Sequence, residues 1–98
     1  MAERKKIDIL AVDDREENLL AIESIIDTDE INLTKALSGN EALGLMFDYD
    51  FALVLMDVQM PGMDGFETAE LMRGSDKTRH IPIIFITAIN KEKKHIFR

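Results

Sequence analysis

Residues fit to do chemistry stand at three places in this 98-residue chain: the adjacent acids Asp13 and Asp14, the single acid Asp57, and Thr87 beside Ala88. Each follows directly on an apolar run, at 7–12, 51–56 and 81–86. Three carboxylates brought to one place repel, and the pKa of at least one rises unless a divalent cation sits among them. Oxygen ligands with room left for water suit Mg²⁺, which takes one or two carboxylates plus a phosphate more readily than a full protein cage, so a phosphate ligand is implied as well. Taken singly, each residue has an ordinary structural explanation. Paired acids before a helix cap it and complement its dipole, an aspartate before a turn is turn chemistry, and a threonine after a strand makes a local backbone bond. What the ordinary explanation leaves unexplained is that all three stand at strand ends expected to be neighbours.

The elements that must position them follow from apolar periodicity. Residues 7–12 read as a buried strand, and 16–27 as a helix in which Leu19, Ile22 and Ile26 recur at helical spacing with Leu20 and Ile25 beside them. Residues 31–37 alternate at Ile31, Leu33 and Leu37, which predicts a second strand near a sheet edge where Lys35 reaches solvent. Ser38-Gly39-Asn40-Glu41 has capping-box spacing, so a second helix starts near Asn40, with Leu43, Met46 and Phe47 on its apolar face. The run 51–56 has the length and continuity of a central strand covered on both sides. After the Met60-Pro61-Gly62 break, Phe66, Ala69, Leu71 and Met72 mark a third helix ending at Gly74. Residues 81–86 give a fourth strand with Pro82 tolerated at its start, and a fourth helix begins near Asn90. Strands alternating with helices imply βαβ units and a doubly wound α/β fold with a parallel sheet, in which ligands sit beyond the carboxyl ends of the strands.

Composition removes several function classes. Hydrophobic residues make up 46% and charged residues 32% of the chain, the balance of one globular domain. Twelve Lys and Arg against nineteen Asp and Glu leave a net charge of -7, and the basic residues cluster only briefly, at 4–6 and 91–94. Direct nucleic-acid contact is not expected. The absence of cysteine excludes a disulfide framework and a thiolate zinc site. No apolar run exceeds a strand's length and no hydrophobic signal region follows the charged start, so no membrane segment is expected and cytoplasmic location is the default. His80 and His95 lack partners at ligand spacing, and the six methionines fall mostly at core spacings or beside the loop after Asp57.

Val12-Asp13-Asp14, the run Met56-Asp57-Val58-Gln59-Met60-Pro61-Gly62-Met63-Asp64-Gly65, and Ile86-Thr87-Ala88 resemble, in order along the whole chain, the receiver domains of two-component response regulators. The resemblance implies a flavodoxin-like sheet of strand order 2-1-3-4-5. It makes Asp57 the phosphoacceptor nucleophile and a metal ligand, Asp14 a direct Mg²⁺ ligand, Asp13 a ligand acting mainly through water, and Gln59 a ligand through its backbone carbonyl. Thr87 would bond the new phosphoryl oxygen and serve as the switch, with the backbone amides of Val58 and Ala88 donating to the same group. The implied activity is phosphorelay signal transduction. A histidine kinase or histidine phosphotransfer protein is the donor, an output domain or partner protein is the receiver of the signal, and the only reaction catalysed is the domain's own phosphorylation and dephosphorylation.

The family's lysine after strand five has no counterpart, and strand five and helix five are missing from the sequence. Residues 1–98 are therefore expected to be a receiver domain incomplete at its C-terminus, wanting roughly a fifth more chain, with a multidomain regulator or a hybrid histidine kinase as the parent. The uncovered edge of strand four is then expected to make the chain dimerise, swap elements or aggregate. Two other readings stand beside this one. A phosphatase of the haloacid-dehalogenase type also uses an aspartate nucleophile with Mg²⁺, but it wants a second acid where Arg15 stands. A pseudo-receiver would keep the fold for docking without phosphorylation, though such domains usually lose one of the acids. A calcium loop starting at Asp57 fails because Thr68 occupies the place of the bidentate acid, and no glycine-rich nucleotide loop occurs.

Overall fold

A computed structural model describes residues 5–26 and 28–86. Within them, strands β1 (Ile7–Val12), β2 (Ile31–Ala36), β3 (Leu53–Asp57) and β4 (Ile83–Ile86) alternate with helices α1 (Glu16–Ile26), α2 (Gly39–Asp48) and α3 (Gly65–Arg73). The strands form one parallel sheet in the order β2-β1-β3-β4. That is the flavodoxin-like order expected from the sequence as far as the described residues reach. The predicted fourth helix, Thr87, Ala88 and His95 lie outside them.

Register decides which side chains share a face. Val12 pairs with Met56 and Leu10 with Val54, while Val54 and Met56 pair in turn with Ile83 and Phe85. Side chains alternate along a strand, so these residues look to one side of the sheet and Ile9, Ala11, Leu53, Leu55, Ile84 and Ile86 to the other. The first side is the main core, where Leu10, Val12, Val54 and Met56 pack with Ala42 and Met46 of α2 and Met72 of α3. Met46, Met56 and Met72 are fully buried, each contributing about 1.5–3 kcal/mol through apolar burial. The other side carries α1, whose Leu19 is buried and whose Glu23 meets Lys35 of β2 at 2.9 Å.

Local chemistry sets the helix ends. Ser38 caps α2 by accepting from the Glu41 amide at 3.0 Å, but the Glu41 carboxylate reaches back to the Leu37 amide at 2.8 Å, one residue before the expected partner. The complete capping box sits at α3, where Asp64 accepts from the Glu67 amide at 2.8 Å and Glu67 accepts from the Asp64 amide at 2.9 Å. The helical faces are narrower than the sequence suggests. Leu20, Ile25, Phe47, Phe66 and Leu71 are more than half exposed, because each helix meets the sheet along one stripe and residues one step off it turn outward.

Candidate functional site

Parallel pairing in register brings the ends of β1 and β3 side by side: Val12 is opposite Met56, so the next residues, Asp13 and Asp57, become neighbours. Asp57 itself pairs with Ile86, the last residue of β4. One carboxylate oxygen each from Asp13, Asp14 and Asp57 lies within 4.8 Å of the other two. Asp13 and Asp57 are buried, whereas Asp14 is the member that faces solvent.

Each acid is held differently. The Asp13 carboxylate accepts from the Arg15 backbone amide at 2.9 Å and from the Asn18 side-chain amide at 3.3 and 3.2 Å, so its partners come from the residue just before α1 and from the first turn of that helix. One carboxylate thus bonds the chain at the start of α1 and lies beside Asp57. Burial pushes the Asp57 carboxyl above the usual carboxylate range; the negative charge of Asp13, and more weakly that of Asp14, pushes it further, against backbone amide bonds from Gln59 and Val58. The expected conflict among the acids is present, with desolvation as its larger part.

The loop after Asp57 is fixed by close backbone approach. Gly65 donates its amide to the Val58 carbonyl at 2.9 Å, and a Cβ at Gly65 would run into the Asp57 carbonyl oxygen. Gly62 takes φ 74°, a left-handed turn conformation that glycine adopts without strain. The Val58 amide, expected from the sequence to meet a phosphoryl oxygen, donates here to the Ile86 carbonyl at 3.3 Å. Gln59 is exposed one position further on. Thr87 and Ala88 follow the strand that ends opposite Asp57, outside the described residues.

Three hard oxygen donors, two of them buried and one open to water, fit a small divalent cation that keeps part of its hydration. The geometry also shows two contributors that periodicity did not single out, Asn18 and Gly65. The sequence signal for Asn18 was a donor one turn into the helix that follows the acid pair, and for Gly65 a residue without a side chain at the first position of α3.

The family model for the response regulator receiver domain matches residues 9–97. Over 82 residues the chain is 37% identical to the response regulator PleD of Caulobacter vibrioides, covering 84% of this chain and 18% of PleD. It is 39% identical over 83 residues to the sensor histidine kinase GacS of Pseudomonas protegens, covering 82% of this chain and 9% of GacS. The chain thus spans a small part of either curated relative. Among solved structures, the chemotaxis protein CheY4 of Vibrio cholerae superposes with a TM-score of 0.79 at 28% identity, over 92% of this chain and 76% of that one.

Proposed function

The chain belongs to the response regulator receiver domain family, and from that premise we propose that it accepts a phosphoryl group on the Asp57 carboxylate in a Mg²⁺-dependent reaction and passes the change on to an output partner. The observation that carries this reading is the meeting of Asp13, Asp14 and Asp57 within 4.8 Å at the carboxyl end of a parallel sheet. Asp13, Asp14, Asp57 and the Gln59 carbonyl would hold the cation, which when bound would neutralise the acids and the charge spread over the phosphoryl oxygens. Asp57 is the nucleophile: one of its oxygens attacks phosphorus in line, a new O–P bond forms, and the bond from phosphorus to the phosphohistidine nitrogen, or to the acyl oxygen of a small acyl phosphate, breaks to release the histidine or the carboxylate. Its raised pKa marks a group whose ionised, nucleophilic form is disfavoured until positive charge arrives. The chain supplies position and charge rather than a proton relay.

In the product, the Val58 and Ala88 amides and the Thr87 hydroxyl bond the phosphoryl oxygens. The draw of Thr87 toward Asp57 biases a pre-existing equilibrium of the β4 side. The donor is a histidine kinase or histidine phosphotransfer protein, the receiver of the signal an output domain or protein, and the site of action the cytoplasm. The net charge of -7 supports a protein partner over nucleic acid. No helix among the described residues is long and apolar enough to cross a membrane.

Incubation with acetyl phosphate and Mg²⁺, followed by intact mass and free-phosphate assays, tests the reading. One stable phosphoryl group per chain is expected. Sustained release of phosphate over many turnovers would favour the haloacid-dehalogenase type of hydrolysis, and no uptake at all would leave a docking module.

A further inference from the structure

We propose that Asn18 is a positioning residue for the cation site, acting through Asp13 and never touching the metal itself. The inference rests on the Mg²⁺ reading above and assigns a role to a residue that reading does not use. Asn18 stands in the first turn of α1, five residues beyond Asp13, and its side-chain nitrogen reaches both oxygens of the Asp13 carboxylate, at 3.3 and 3.2 Å. A carboxylate only accepts, so the amide nitrogen is the end of Asn18 that must face it. The Arg15 amide adds a third bond to one of those oxygens at 2.9 Å. Asp13 is 4% exposed, and its carboxylate plane is thereby set from the helix side.

The three acids then differ in freedom. Asp57 is steadied by backbone amides of its own loop, Asp13 by α1, and Asp14 faces solvent. A neutral donor suits the place of Asn18. A lysine or arginine there would neutralise Asp13 and compete with the cation, and an acid would add to the repulsion. The amide fixes direction without changing the charge of the site. Small, rigidly octahedral ions depend on ligand direction more than large, adaptable ones do. Loss of the Asn18 donor should therefore weaken Mg²⁺ more than Ca²⁺, which a general loosening of the fold would not do.

The test is a pair of metal titrations on the parent chain, Asn18→Leu and Asn18→Ser, with thermal melts of each. Leucine keeps the bulk and removes the donor, and serine, which is shorter, serves if leucine disturbs folding. Mg²⁺ affinity is expected to fall roughly tenfold in both variants, as for loss of a group supporting a metal ligand. Ca²⁺ affinity should fall by a clearly smaller factor. Equal losses for the two ions, or unchanged Mg²⁺ binding in a folded variant, would overturn the role of Asn18 while leaving the cation site standing. A parent chain that binds no Mg²⁺ would overturn the site and this inference together.

Discussion

Asp57 shows how one residue couples function to stability. Its pKa is raised by burial and by Asp13, so just above the ordinary carboxylate range the folded chain holds a proton that the unfolded chain has lost. The folded state binds more protons there, and stability falls as pH rises through that window. Without divalent ions, Asp57→Asn is expected to melt a few degrees above the parent at pH 7, with the gap closing below about pH 4, where the unfolded carboxyl is protonated too. Melts across that pH range check the sign, and a variant less stable than the parent at pH 7 would contradict it. Asp14→Ala should weaken Mg²⁺ at least tenfold, whereas Glu17→Ala, an exposed acid paired with Arg15 at 3.1 Å, should leave it nearly unchanged. Equal affinities in a titration would remove Asp14 from the site. Thr87→Ala should keep Mg²⁺ binding and phosphoryl uptake but lose the partner's response to phosphorylation, read as a partner Kd that no longer changes on phosphorylation.

Between residue and fold, the loop from β3 to α3 is held at both ends. Gly65 allows its far end to close on the Asp57 backbone, and the Asp64–Glu67 capping box starts α3 in the same place. Gly65→Ala forces a Cβ into the Asp57 carbonyl and is expected to cost about 1–3 kcal/mol. Asp64→Ala removes the cap and is expected to cost about 0.5–2 kcal/mol. Denaturant midpoints measure both, and an unchanged midpoint for Gly65→Ala would mean the close approach is not required. The elements were legible in the sequence because continuous apolar runs of strand length and helical spacing are strong signals. Their edges were less so. Residues 51–52 and 81–82 lead into β3 and β4 rather than belonging to them, since apolar type reports burial and not strand geometry, and Phe51 and Ile81 are buried without being strand. The exposure of Phe47 and Ile25 was equally unreadable, because periodicity places residues on a helix but not the helix on its sheet.

At the scale of the molecule, the acid cluster was legible because parallel strands carry their carboxyl ends to one side, so the three acids that follow two adjacent apolar runs had to gather. The support of Asp13 by Asn18 was not, since it depends on how α1 leaves β1. The sheet has β2 at one edge, and among the described residues no strand pairs beyond β4, where Ile84 and Phe85 are 52% and 40% exposed. An apolar strand in that position favours edge association. The 98-residue chain is expected to sediment as more than a monomer at micromolar concentration, and Ile84→Lys to shift it toward monomer. A monomeric parent would remove that edge from its interactions.

The claim on which the rest depends is that Asp57 itself carries the phosphoryl group. An aspartyl phosphate, unlike a phosphoserine or phosphothreonine, is reduced by borohydride to homoserine, so treatment of the chain after exposure to acetyl phosphate and Mg²⁺, then peptide mass mapping, locates the acceptor directly. Homoserine at position 57, dependent on Mg²⁺ and absent from Asp57→Asn, is the predicted result; reduction at another acid, or none in a folded chain that binds Mg²⁺, would contradict it.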